Sequence, residues 1–387
     1  MIQRRTLFAT QAAGLWLSLA DGWLRPVRAQ SATLPAGPTA GPTAGPTAPW
    51  NVPPHRDPRL AALAWAVLAP NPHNRQPWLI RLVGEDELLV YCDLERRLPV
   101  TDPLDRQILI GLGCFAELLC IAAAHQGIEA DITPFPEGEP QPRLDARPVA
   151  RILFSGTQWR DPLFAAAATR RSAKQPFNLA REVPDAALVA LRSALLTPAG
   201  FGARNRDVGA LRDLVWRAWM IEAETAAAHR ESVDLMRLGT AEVTARPDGI
   251  SIYGPPFDAM VARGELTRAA MRPGQPGHAM MIGQYRPMLA ATNAYVWLTT
   301  PGNDRAAQLA AGRDWVRLNL AATLAGLALH PVSQALQEYA EMDTPRAALA
   351  GLLGATGHVQ MLGRLGYATR PTAPTPRWPV ESRILRG

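Results

Sequence analysis

Residues 105–128, DRQILIGLGCFAELLCIAAAHQGI, align without a gap on residues 304–327, DRAAQLAAGRDWVRLNLAATLAGL. Both stretches have the length and apolar spacing of a helix, and their small residues allow a neighbouring helix to approach closely. Identical residues stand at the paired positions Asp105 and Asp304, Arg106 and Arg305, Gly113 and Gly312, Ala122 and Ala321, Ala123 and Ala322, and Gly127 and Gly326. We therefore expect two equivalent central helices that pack about a pseudo-twofold axis.

Strand-like runs flank both helical stretches. Runs rich in branched and aromatic residues occupy 78–82, 88–91 and 149–154 around the first stretch and 294–299 before the second. The pairs Asp102-Pro103 and Asn303-Asp304 are plausible helix start signals. The sequence thus predicts an α+β fold of two unequal repeats in one chain, the first over residues 51–158 and the second over 159–387.

The second repeat carries extra sequence. Residues 205–284 have no counterpart in the first repeat, and their Pro- and Gly-rich part, 246–277, is the segment that we expect to act as a lid. The chain has 387 residues with 48% hydrophobic and 19% charged residues, which is ordinary globular composition and enough for two domain-sized units.

Charge and cysteine content exclude some classes of function. The net charge is +6, but the arginines are spread along the chain, and no basic run is interleaved with aromatic residues. We therefore do not expect nucleic-acid binding. Cys92, Cys114 and Cys120 form no pair or His-containing spacing that suggests a metal ion, so we interpret them as structural.

The amino terminus, residues 1–29, has the form of an export signal: arginines, a short apolar stretch and small residues before Gln30. Arg4-Arg5 followed by Thr-Leu-Phe resembles a twin-arginine signal, although an ordinary secretory signal can also contain two arginines. Arg28 near the cleavage site favours the twin-arginine type. We expect the translocase of that pathway to deliver the folded protein to the periplasm. Residues 30–50 contain the unit GPTA three times and are predicted to be a linker.

Four further segments resemble one known family. They are 69-APNPHNRQPW-78, 169-TRRSAKQPF-177, 326-GLALHPVSQALQE-338 and 364-RLGYATRPTAPTPRWPVESRI-384. Together they are similar to the nitroreductase superfamily, and in particular to its Acg-type branch of FMN-binding oxidoreductases. The resemblance covers residues 55–384, nearly the whole chain after the linker, and implies a nitroreductase-like fold.

The resemblance also assigns site residues. It implies that the first segment wraps the isoalloxazine ring, that the second and the tail hold the FMN phosphate, and that Lys174 reaches N1 and the C2 carbonyl of the flavin. Asn71 stands where the family usually has serine, and Trp378 where the branch often has arginine. The implied ring contacts are Pro70, Asn71, Pro72 and Asn74, with Gln76 as a support; the implied phosphate contacts are Arg170, Ser172 and Arg377; Ser333 and Gln334 are possible contacts near the N5 edge.

The distribution of these segments predicts the architecture of the site. The ring-wrapping segment lies only in the first repeat, whereas the phosphate segment and the tail lie only in the second. In ordinary family members FMN lies at a dimer interface. The resemblance therefore implies that this chain is an internal pseudo-dimer, a monomer that holds one FMN between its two repeats.

Three functions remain open at this point. In the first, the protein is an oxidoreductase that passes two electrons through FMN, from an unidentified donor to a nitro, quinone or similar small-molecule acceptor. In the second, it binds or sequesters FMN beneath the lid without NAD(P)H-dependent turnover. A third possibility is a non-enzymatic partner of another exported redox protein. His73 and His330 lie inside the matched segments, but we assign neither an acid–base role.

Overall fold

The structure is a computed structural model that describes residues 45–385. The predicted export signal and residues 30–44 of the predicted linker lie outside the described residues. The first repeat contains helices and strands in the order α1 (Pro58–Ala66), β1 (Trp78–Val83), β2 (Glu87–Cys92), α2 (Arg106–His125), β3 (Glu129–Pro134) and β4 (Ala150–Ser155).

The strands of the first repeat form one antiparallel sheet in the order β1-β2-β4-β3. Trp78 pairs with Cys92 across β1 and β2, and Glu129 pairs with Ser155 across β3 and β4. Buried and partly buried residues alternate along β2 and β4, as expected for a sheet with one face on the core. The three strands predicted in this repeat are confirmed to within one residue at each end.

Helix α2 is the centre of the core. The Asp102 carboxylate accepts hydrogen bonds from the backbone N–H groups of Gln107 (3.0 Å) and Ile108 (2.8 Å) and so caps the first turn. Helix α2 is long and apolar enough to cross a membrane by length and composition, but 89% of its most apolar window is buried inside the protein. A core helix of a globular protein has the same properties.

The second repeat contains its own long helix and a second antiparallel sheet. The strands of this sheet lie in the order β5 (Phe201–Arg204), β8 (Ala294–Thr300), β10 (His358–Gly366) and β9 (Ala328–Pro331). The Asp304 carboxylate accepts a hydrogen bond from the Ala307 N–H (2.7 Å) and caps that helix, as predicted. The elements are α3 (Asp185–Ser193), β5 (Phe201–Arg204), α4 (Gly209–Glu224), α5 (Ala226–Asp234), β6 (Met236–Leu238), α6 (Thr240–Ala245), β7 (Ile250–Ile252), α7 (Pro255–Ala262), α8 (Pro276–Ala290), β8 (Ala294–Thr300), α9 (Arg305–Leu324), β9 (Ala328–Pro331), α10 (Asp343–Leu353) and β10 (His358–Gly366).

Helices α2 and α9 contact each other where two matched glycines meet. A Cβ atom placed on Gly113 would lie 3.0 Å from the Gly312 Cα and 2.2 Å from the Leu309 carbonyl oxygen. A Cβ atom on Gly312 would lie 2.1 Å from the Ile110 carbonyl oxygen. Because no side chain fits at either position, the two backbones approach more closely than any other residue would allow.

The segment predicted as an insertion is mostly helical. It contains α4 to α8 and a two-stranded parallel sheet of β6 and β7. Trp219 of α4 stacks on Trp216 and on Tyr285 of α8, with ring centroids 5.3 and 4.5 Å apart. These aromatic contacts belong to a hydrophobic cluster that the segment shares with residues of β8, α10 and β10.

Candidate functional site

The loop 69–77 has a strained and internally bonded backbone. His73, Asn74 and Gln76 adopt left-handed φ values of 47°, 52° and 51°. The Asn71 side chain holds this path, because its Oδ1 accepts from the Gln76 N–H (2.7 Å) and its Nδ2 donates to the Ala69 carbonyl (3.1 Å). Left-handed non-glycine residues cost of order 1–3 kcal/mol each and cluster at functional sites.

The predicted support, Gln76, ties the loop to two distant segments. Its side chain is fully buried. Its Nε2 donates to the Pro247 carbonyl (2.7 Å), and its Oε1 accepts from the Trp378 backbone N–H (2.8 Å). Both predicted prolines precede the strained residues: Pro70 is buried, and Pro72 begins a short 3-10 turn. This loop, the predicted lid and the tail therefore meet at one place.

The two predicted phosphate arginines also meet at this loop. Arg170 donates through Nη2 to the Leu68 carbonyl (2.8 Å), and Arg377 donates through Nη2 to the same carbonyl (3.2 Å). Arg377 also bonds the Asn74 side-chain oxygen through Nη1. The structure thus brings together residues that are about 300 positions apart in the sequence.

A third arginine and a tryptophan complete this cluster. The guanidinium carbon of Arg171 lies 4.1 Å from the centre of the Trp50 ring, and those of Arg170 and Arg377 both lie 5.8 Å from it. We call these three arginines the arginine cluster. Trp50 belongs to the last residues of the predicted linker, and nothing in the motif resemblance pointed to it.

The arginine cluster lacks an anionic partner among the described residues. None of the three guanidinium groups forms an ion pair there, and four of their buried nitrogen atoms have no hydrogen-bond partner: Arg170 Nε and Nη1, Arg171 Nε, and Arg377 Nε. Burial lowers the pKa of Arg170 to about 10, and burial together with the two neighbouring arginines lowers that of Arg377 well below its ordinary value. Such a cluster fits an anion with several oxygen atoms, such as a phosphate.

The remaining residues of the second segment lie beside the cluster. Ser172 bridges to Leu329 of β9 through its backbone, and Lys174 is exposed. Burial is the main cause that lowers the pKa of His73, to about 4, and the charge of Lys174 adds to it. The same two causes, with Arg364, hold the pKa of His330 well below its ordinary value. Both imidazoles are therefore neutral at neutral pH.

Ser333 and Gln334 contact buried polar groups. The Ser333 hydroxyl donates to Gln107 Oε1 of α2 (2.9 Å). The Gln334 side chain hydrogen-bonds to Glu222 of α4, which also accepts from Gln337 Nε2 (2.9 Å). Burial raises the pKa of Glu222. Sequence reasoning did not identify Glu222, because a single acidic residue in a helical pattern carries no signal of its own.

The predicted lid contacts the loop through one carboxylate. Asp248 Oδ2 lies 3.0 Å from Arg96 Nη1 and 3.4 Å from Arg75 Nη1, while its Oδ1 lies 2.9 Å from Arg237 Nη2. The neighbouring Gly249 N–H donates to the Asn74 carbonyl (3.2 Å). The sequence analysis missed Asp248 as well. The only available signal was an acidic residue in the Pro- and Gly-rich part of the insertion.

No family model matches the sequence. Two similar proteins of Mycobacterium tuberculosis are named "Putative NAD(P)H nitroreductase Rv3131" and "Putative NAD(P)H nitroreductase acg". The first is 30% identical over 343 residues, which are 82% of this chain and 91% of that protein. The second is 28% identical over 334 residues, which are 83% of this chain and 93% of that protein.

Among solved structures, the FMN-dependent nitroreductase NfnB of Mycobacterium smegmatis, crystallised with NADPH, is 18% identical to this chain. Its superposition has a TM-score of 0.29 and covers 53% of this chain and 90% of that one. The sequence similarity to the first mycobacterial relative is stronger and extends over most of both proteins. This chain belongs to the nitroreductase family.

Proposed function

We propose that the protein is an FMN-binding oxidoreductase that passes two electrons to a nitro, quinone or similar conjugated acceptor. The observation that carries this proposal is the arginine cluster, whose buried nitrogen atoms have no anionic partner in the described part of the chain. The cluster contains Arg170 and Arg377, the two arginines that the motif resemblance assigns to the FMN phosphate. Two buried cations and a partly buried third, Arg171, without a counter-ion in the described residues are costly, and a phosphate dianion offsets that cost.

FMN supplies the two-electron chemistry when it is bound. The chain holds and positions it: the arginine cluster binds the phosphate, and the loop 69–77 covers the ring. Hydrogen bonds of Asn71 and Gln76 hold the strained backbone of that loop. A preorganised loop orders fewer groups on binding, which favours affinity. Because His73 and His330 are neutral, the positive charge near the site is carried by the arginines and Lys174.

We further propose that one chain binds one FMN as a monomer. The supporting observation is that the loop 69–77 comes from the first repeat, whereas Arg170, Arg171 and Arg377 come from the second. Each repeat contributes a different part of the site. A second, equivalent site would need a second copy of each segment.

A second candidate function is FMN sequestration beneath the insertion. Asp248 contacts the two arginines Arg75 and Arg96, and Gln76 donates to the Pro247 carbonyl. These contacts fasten the predicted lid onto the loop that would cover the ring. A lid that stays fastened would restrict access by a donor such as NAD(P)H, which the names of the mycobacterial relatives specify.

Anaerobic reduction of the purified protein tests both candidates. The flavin absorbance per chain, measured together with light scattering, is expected to give one FMN on a monomer. NADH or NADPH is then added without oxygen, followed by dithionite. Bleaching by NADH or NADPH supports the oxidoreductase, and bleaching by dithionite alone supports sequestration. A protein that purifies without flavin and binds none on titration would overturn both.

Lys174→Gln is expected to lower the reduction potential of the bound flavin. The resemblance places this lysine, the only one in the chain, against the ring edge that becomes negative on reduction. A close charge pair contributes up to about 4 kcal/mol at an effective dielectric of about 20. Because Lys174 is exposed, we expect a contribution of about 1 kcal/mol, whose loss lowers the two-electron reduction potential by about 20 mV in the variant. Spectroelectrochemical titration measures the shift. Arg206→Gln, which removes another exposed positive charge, is the control, and equal potentials in both variants would contradict the assignment.

Export to the periplasm is also a proposal, and it rests on the Arg4-Arg5 pair. Conversion of both arginines to lysine is expected to leave the precursor in the cytoplasm, because the twin-arginine pathway reads that pair as an address. Cell fractionation followed by immunoblotting measures the distribution. The control is the same change at Arg25 and Arg28. Undiminished export of the Arg4→Lys, Arg5→Lys precursor would indicate an ordinary secretory signal.

A further inference from the structure

The segment just after the linker repeats packs on the carboxy-terminal tail. Residues 48–50 form a short 3-10 turn. The Trp50 indole N–H donates to the Thr375 carbonyl (2.8 Å), and the Pro46 carbonyl accepts from the Arg377 N–H (2.9 Å). One backbone hydrogen bond, at Pro46, and one side-chain hydrogen bond, at Trp50, therefore hold this segment against the tail. We call residues 45–50 the strap.

Trp50 lies between the arginine cluster and solvent. Its ring is half-buried and within 6 Å of all three guanidinium carbons, whereas Arg170 and Arg377 are only 2% and 4% exposed. Four buried nitrogen atoms of these guanidinium groups have no hydrogen-bond partner in the described part of the chain. A ring in this position interacts favourably with the cations and keeps water from them. It does not neutralise their charge, so the need for an anion remains.

From this arrangement we infer that the strap closes the phosphate end of the cofactor site and restricts that site to a mononucleotide. The inference rests on the proposed function. The phosphate of FMN is a chain end, whereas in FAD the same phosphate continues into a second phosphate and adenosine. With the Trp50 ring and the strap backbone across that end, the continuation has no path unless the strap leaves the tail.

The strap also slows cofactor release. The phosphate can leave the arginine cluster only after Trp50 moves away from Arg171 and breaks its bond to Thr375. Riboflavin lacks the phosphate and does not occupy this part of the site. Its binding should therefore be insensitive to any change of Trp50, which separates an effect at the phosphate end from a general loosening of the protein.

The test uses the full chain, freed of flavin and titrated with FMN, FAD and riboflavin by fluorescence quenching. In Trp50→Ala, FMN is expected to dissociate about tenfold faster than from the wild type, from the loss of the ring–cation contacts. Trp50→Phe keeps an aromatic ring over Arg171, so its FMN dissociation rate is expected to stay within about threefold of the wild-type rate. Trp159→Ala is the matched control, because Trp159 is 93% exposed on an unrelated loop.

The wild type is expected to bind FAD at least about 100-fold more weakly than FMN, and Trp50→Ala is expected to narrow that ratio. Two results would overturn the inferred role of the strap. One is an unchanged FMN dissociation rate in Trp50→Ala with a normal melting temperature, and the other is equal affinity of the wild type for FAD and FMN. Tighter FMN binding in Trp50→Ala would overturn it too, because Trp50 would then occupy the phosphate position. A wild type that binds none of the three flavins would instead overturn the proposed function itself.

Discussion

Arg170→Met is expected to weaken FMN binding by about 10- to 100-fold and, at the same time, to raise the melting temperature of the flavin-free protein. The first effect follows because a charge-assisted hydrogen bond to a phosphate contributes about 1.5–3 kcal/mol. The second follows because Arg170 is buried, and two of its nitrogen atoms have no partner. Replacing an uncompensated buried charge with an apolar side chain of similar length stabilises by about 1 kcal/mol or more, a shift of about 1–2 °C for a chain of this length.

Isothermal titration with FMN and thermal melting without FMN measure the two effects. Arg170→Lys keeps the charge but loses the planar fork of donors, so we expect an intermediate affinity. Arg206→Met, at a side chain that is 74% exposed, should change neither quantity. If Arg170→Met destabilised the flavin-free protein and left FMN affinity intact, the arginine would be a structural residue and the phosphate site would lie elsewhere.

Gly312→Ala is expected to cost about 3 kcal/mol or more of unfolding free energy, the largest stability effect that we predict. The added Cβ atom would lie 2.1 Å from the Ile110 carbonyl oxygen, and both neighbours are helix backbone that cannot rotate away. Helices α2 and α9 would have to separate. Urea unfolding measures the change.

Gly351→Ala is the matched control for that variant. Gly351 lies inside helix α10, and a Cβ atom there has no neighbour within 4 Å. The same chemical change is therefore expected to stabilise the protein by about 0.5–1 kcal/mol through the better helix propensity of alanine. If both variants shifted stability in the same direction and by the same amount, close contact of α2 and α9 would not be the reason for the two matched glycines.

Strands and long helices were predictable from the sequence because the spacing of apolar residues shows which side of an element is buried. The runs that became β1, β2, β4 and β8 alternate or cluster apolar residues over four to six positions, and the structure places each within one residue of the prediction. Helices α2 and α9 were equally clear, since two aligned copies reinforce one pattern. The insertion has short elements and no second copy, so its parallel pair of β6 and β7 left no comparable signal.

Site contacts were harder to predict than elements, because they depend on the chain path. The motif predicts that Asn71 contacts the flavin ring. In the structure its side-chain oxygen accepts a hydrogen bond from the backbone N–H of Gln76, a residue with left-handed φ in the same loop. Trp50 and Asp248 lie in irregular segments, and their partners are distant in sequence. Only the folded chain shows that these two residues border the site.

The return of the carboxy-terminal tail to the first repeat sets the order in which this protein can fold. The Leu385 N–H donates to the Ile80 carbonyl (2.7 Å), and Arg383 donates to the Trp78 carbonyl (3.2 Å). Contacts between residues this far apart form slowly, because a long loop must close first. During synthesis, strand β1 can pair with its sequence neighbour β2 early, but its contacts with the tail form only after residues 383–385 have been made. Under the proposed role of Arg377 as a phosphate contact, a chain that stops before this residue lacks part of the candidate site.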